Sequence, residues 1–264
     1  MTPLLASEAG LNDPFVVPPV EELFEFPALF LEGTPLAVNR TVLIMLLAVL
    51  CAIALMWSGL ANPRVIPGKL QAVAESIVDF IRDQIAIQVM GKDGLPWVPF
   101  LTTIFLFVWF NNLFEIIPLV NFPPTSRMAL PAFLAVLIWL AFFITGIVKQ
   151  GFGYFVSVAF PPGVPKPIYL LVTPIEIVST FLVRPLTLAV RLFANMVAGH
   201  IILTIIFLTI HAFLFSGKGT PIGLVALAAS PLLIGFELVV GVLQAYIMTI
   251  LAAVYIGSSI HPEH

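Results

Sequence analysis

Two apolar stretches, residues 168–215 and 221–258, are separated only by the short polar turn SGKGT. Each far exceeds the ~20 apolar residues that cross a ~30 Å hydrocarbon core. As helices they would be roughly 70 and 57 Å long at 1.5 Å per residue. Neither holds the cluster of Gly, Pro and Asn that would reverse a helix; Pro185 and Gly199 can bend one at most. The expected structure is therefore two long, strongly tilted helices joined as a hairpin. In a bilayer only helices and closed barrels satisfy every backbone polar group, so the chain reads as an all-α, polytopic membrane protein. Its composition agrees, with 60% hydrophobic and 9% charged residues against about 25% charged in soluble domains.

The rest of the chain supplies three more spans. Residues 1–36 carry acids, many prolines and no Lys or Arg, and read as an irregular leader on the outer side. With no basic stretch before an apolar core, nothing resembles a cleaved signal peptide, and the first span should remain as an anchor. Residues 37–61 form that transmembrane helix, stopped by NPRVIPG. Residues 69–90 differ: Val73, Ile77, Phe80, Ile81 and Ile85 recur at helical spacing, opposite Glu75, Asp79, Arg82 and Asp83. That pattern predicts an amphipathic helix lying along the interface. Residues 97–117 and 128–148 cross, joined by FPPTSR, and a Gly- and Pro-rich joint over 149–167 leads to the hairpin. With the N-terminus outside, the inner side holds Arg64, Lys69, Arg82, Lys92, Lys149 and Lys166, and the outer side Arg127 and Lys218, with Arg40 at the outer edge of the first span. The positive-inside rule favours this orientation, with the C-terminus in the cytoplasm.

Polar groups inside such helices are expensive and mark function. On the first hairpin helix Arg184, Thr187, Arg191 and Asn195 fall within about 80° of one another, while His200, Thr204 and His211 lie about 180° from Arg191. On the second, Ser230, Glu237, Gln244 and Tyr255 form one stripe. If the turn centres near Lys218, His200 faces Glu237 and Arg191 faces Gln244 across the antiparallel pair. An imidazole beside a carboxylate can pass protons near neutral pH, whereas an arginine beside an amide cannot. Arg191 stays charged in essentially any protein environment, and Glu237 lies ~10 Å further along, so its partner is expected on another chain. Glu115, near the outer end of its span, either snorkels to the interface or lines a polar channel; Gln244 can also be read as an interhelical hydrogen bond. His211 reads as a packing hydrogen bond, Cys51 as packing, and His261 and His264 as tail residues without a metal constellation.

RLFANMVAGH with QAYIMTILAAVYI resembles the a subunit of F-type ATP synthases, the proton-channel stator beside the rotating ring of c subunits. NPRVIPGKLQ, DFIRDQI, WVPF and NNLFEIIP extend the likeness over most of the chain. The resemblance implies that Arg191 faces the ring, attracts a deprotonated c-subunit carboxylate and separates an outer from an inner half-channel. Asn195 and Gln244 match positions lining that site. His200 and Glu237 match a polar pair of the outer half-channel, with Glu115 in place of an Asp. Glu176 resembles an acid of the inner half-channel but precedes Arg191 by one residue more than the family spacing implies. Either a local bulge absorbs that residue or the match fails.

The family implies as partners the c ring, b-type peripheral stalk subunits, lipid and translocated protons; the location expected is the bacterial plasma membrane rather than an organelle. No cofactor, metal or nucleic acid is expected, and no phosphate-cradling Gly-x-x-x-x-Gly-Lys-Ser/Thr loop is present, so the chain itself is expected to be non-catalytic. The alternative is a proton-coupled transporter in which Arg191 binds an anionic solute. Its marks, inverted repeats and broken helices, are not evident in the sequence.

Overall fold

A computed structural model describes residues 28–30, 38–117, 127–160, 168–215 and 220–260. The SGKGT turn lies mostly outside the described residues, as do FPPTSR up to residue 126 and the tail histidines. The chain begins its described course with a two-stranded antiparallel ribbon, β1 (Ala28–Phe30) against β2 (Val38–Asn39). The leader expected to be irregular thus contributes a strand. The first helix, α1 (Arg40–Leu60), starts after residue 37 because Asn39 caps it, its side-chain oxygen accepting from the Val42 amide at 3.1 Å.

Pro63, Pro67 and Gly68 end that span, and Gln71 pins the connection by bonding both the amide and the carbonyl of Arg64. The chain then stays helical through α2 (Lys69–Phe80), a π segment (Ile81–Ala86) and α3 (Ile87–Met90). This amphipathic stretch divides its apolar residues: Ile81 and Ile85 are fully buried in the core, whereas Leu70, Val73 and Phe80 face outward. Gly91, at φ 64°, supplies a left-handed turn that side chains with a Cβ resist. A 3₁₀ segment (Gly91–Trp97) then feeds α4 (Val98–Ile116), followed by α5 (Ala129–Gln150).

The Gly- and Pro-rich joint after α5 holds a further helix, α6 (Gly153–Ala159), which its composition does not announce. Tertiary contacts hold so short a helix. Ser157 donates to the Gln150 side chain at 3.0 Å, and Gln150 donates to the Ser259 carbonyl at 2.7 Å, which fastens the joint to the end of the last helix.

The hairpin is continuous on both arms. Its first arm comprises α7 (Tyr169–Val178), a π segment (Ser179–Val183), α8 (Arg184–Ile210) and a second π segment (His211–Phe215); its second is α9 (Thr220–Ile260), 41 residues long. Gly223 packs on Leu214 near the turn, as an antiparallel pair centred near Lys218 requires. The main core joins α4, α5, α8 and α9 through Leu101, Ile138, Phe142, Leu192, Met248 and Ile256. Large apolar side chains also cover the outside, Trp57 and Leu232 among them, as they do where lipid replaces water. Five helical stretches among the described residues are long and apolar enough to cross a membrane: Arg40–Leu60, Lys69–Ile116, Ala129–Gln150, Tyr169–Leu214 and Pro221–Ile260.

Candidate functional site

The hairpin's close approach creates the first cluster. Gly199 faces α9, and a Cβ there would run into the Glu237 carboxyl, whose carbon would lie 2.6 Å away. Only glycine lets the acid lie against the α8 backbone. His200, the next residue, is 5% exposed and Glu237 6%, so both side chains are buried where Gly199 meets α9. From α4, Glu115 is 1% exposed and within electrostatic reach of Glu237. The Glu115 side chain thus turns inward and does not reach the surface of the described residues.

Two amides that the sequence reading did not single out complete this cluster. Asn112 donates to the Gly241 carbonyl at 3.1 Å and joins α4 to α9 about one turn from Glu237. Asn111 donates to the Phe107 carbonyl of its own helix at 2.7 Å. One side-chain oxygen on each of Asn111, Asn112, Glu115 and Glu237 is buried without a protein donor among the described residues. Such a lining of acceptors suits donors such as water or a migrating proton. The signal was available in NNLFE, two consecutive amides within an apolar span.

The opposite face of α8 carries Arg191. It is exposed, as is Thr187 one turn before it, and it makes no hydrogen bond or ion pair among the described residues. Nine residues separate it from His200, about 180° around the helix. Asn195 is half-buried and Gln244 is 5% exposed; each turns an amide nitrogen into the protein without a partner among the described residues. Arg191 and Gln244 share a level of the hairpin without bonding to each other.

The third group lies toward the expected inner side. An Arg184 guanidinium nitrogen is 3.3 Å from a Glu176 carboxylate oxygen, and the guanidinium carbon sits 5.3 Å from the centroid of the Tyr255 ring on α9. The π segment Ser179–Val183 makes the ion pair possible. In uninterrupted α-helix, residues eight apart diverge by about 80°; absorbing one residue in a π turn brings Glu176 and Arg184 to within about 20°. A one-residue bulge therefore lies between Glu176 and Arg191, and Glu176 stands beside Arg184. No group of three or more His, Cys, Asp or Glu able to hold a metal occurs among the described residues.

Comparison with known proteins adds a separate line of support. A sequence profile described as ATP synthase A chain matches residues 41–257. The chain is 41% identical over 270 residues to ATP synthase subunit a of Frankia alni, covering 100% of this chain and 91% of that one. It is 38% identical over 255 residues to ATP synthase subunit a of Rhodococcus erythropolis, covering 95% and 92% of the two chains. With ATP synthase subunit a of Magnetococcus marinus it shares 42% identity over 236 residues, 87% of this chain and 86% of that one.

Proposed function

The chain belongs to the ATP synthase A chain family, and from that premise we propose how its residues conduct protons and couple their flow to ATP synthesis. The carrying observation is the division of α8 into two chemically opposed faces. Arg191 stands exposed on one, while His200 lies buried on the other, at the level where Gly199 meets Glu237.

An ionised carboxylate on a rotating c ring is costly to turn toward lipid, so the ring moves freely only while its carboxylates carry protons. Arg191 offers one place where an anion is stabilised. A proton entering from the outside passes the acceptor lining of Glu115, Asn111, Asn112, Glu237 and His200, neutralises that anion and lets the ring advance. After nearly a full turn the carboxylate meets the inner half-channel beside Glu176 and releases its proton. The membrane potential biases this cycle by about 2.3 kcal/mol per charge per 100 mV. Asn195 and Gln244, flanking Arg191, are further polar residues of the rotor-facing site.

On this reading the N-terminus is outside, the C-terminus is cytoplasmic, and the membrane is the bacterial plasma membrane. The exposed Arg191 face meets the c ring, and b-type peripheral stalk subunits hold the chain against rotation. The nucleotide chemistry belongs to other subunits, and this chain is non-catalytic. Arg191→Ala tests the assignment: ATP-driven proton pumping by the whole complex in inverted vesicles is expected to vanish, and retained pumping would refute it.

A further inference from the structure

Arg191 shares its helix line with a second cation. Arg184 lies seven residues earlier in α8, about 20° around the axis and roughly 10 Å along it. If both guanidiniums were bare, an ionised rotor carboxylate moving past that line would meet two attractive stations. The two differ sharply in surroundings. Arg191 is exposed and makes no ion pair among the described residues. Arg184 is held from two sides, by the Glu176 carboxylate of α7 at 3.3 Å and by the Tyr255 ring of α9 at 5.3 Å. These contacts come from different elements, and the first depends on the one-residue π bulge Ser179–Val183.

Building on Arg191 as the docking cation, we infer that Glu176 and Tyr255 mask Arg184, leaving Arg191 the single station at which a rotor carboxylate stops. Beyond the ion pair's own length, a carboxylate at that distance cancels most of the guanidinium's field, and the aromatic face supports the cation from the other side. Glu176 thus acts as a specificity-determining residue through Arg184, in addition to any part in proton release. With Glu176 neutralised, a bare unit charge about 10 Å from the docked anion favours its retention by on the order of tenfold at an effective dielectric of about 20.

The test compares Glu176→Gln, Arg184→Gln and the double variant in the whole ATP synthase, measuring ATP-driven pumping in inverted vesicles per assembled complex. Glu176→Gln is expected to pump about tenfold more slowly, and adding Arg184→Gln is expected to restore most of that loss. A double variant no faster than Glu176→Gln overturns the inference, as does a Glu176→Gln variant that pumps at the unmodified rate. The exchanged pair, Glu176→Arg with Arg184→Glu, keeps the line neutral and should also outpace Glu176→Gln; failure to do so counts against masking. Packing damage lowers the amount of complex, not its turnover, so the normalisation separates the two. Arg191→Ala in the same vesicles distinguishes the underlying reading: retained pumping there overturns docking and masking together. Lost pumping there without rescue in the double variant overturns masking alone.

Discussion

At Gly199 the missing Cβ lets a carboxyl from the opposite helix rest on the α8 backbone. Gly199→Ala is therefore expected to push Glu237 out of place and slow passive proton flux through the membrane sector by about tenfold, in keeping with overpacking costs of 1–3 kcal/mol. Adding Glu237→Asp, one methylene shorter, should recover part of that flux; measuring flux in vesicles stripped of the catalytic head decides it. Asn112 carries a second expectation. Asn112→Leu removes both its bond to Gly241 and a lining acceptor, so flux should fall several-fold while thermal stability drops by about 1 kcal/mol. The opposed faces of Arg191 and His200 were legible in the sequence, because helical spacing alone sets their angle. The inward turn of Asn111 and Asn112 was not, because an apolar span does not reveal which side meets another helix.

Helices acquire their special geometry here from single-residue irregularities. The π segment Ser179–Val183 converts an 8-residue separation into an ion pair, and deleting Leu182 should restore regular α geometry with a separation of seven, which keeps Glu176 within about 20° of Arg184. That deletion is expected to leave pumping per complex near the unmodified rate, whereas one alanine inserted after Leu182, which turns Glu176 about 100° away from Arg184, should slow pumping as Glu176→Gln does. Gly91 is the counterpart on the amphipathic stretch: at φ 64° an alanine is strained, and Gly91→Ala should lower the stability of the solubilised complex by about 1 kcal/mol in thermal unfolding. Spacing raised the question of a bulge before Arg191 but could not place it. A π turn differs from an α turn by one hydrogen-bond offset, with no composition of its own. The short helix Gly153–Ala159 escaped detection for a related reason, since its support comes from Gln150, Ser157 and the distant Ser259.

Across the whole molecule the hairpin is built unevenly. The first half of the last helix exposes Leu232, Phe236 and Val239, whereas its second half buries Met248, Ala252, Ala253 and Ile256 in the core. One arm end is anchored and the other presents apolar surface, a shape suited to a stator that holds its place beside a moving partner. The spans and the hairpin followed from run length and apolarity, which a bilayer dictates almost without regard to side-chain detail. The three-helix meeting of Glu115, Glu237 and Gly199 did not, because it depends on how α4 docks. The central claim is that Arg191 separates two proton paths and ties flow between them to ring rotation. Its most direct test is to impose a proton gradient on vesicles carrying the complete enzyme with Arg191→Ala, and to record proton flux and ATP synthesis together. The account predicts that protons cross while ATP synthesis is abolished; synthesis that persists in proportion to the flux would contradict it.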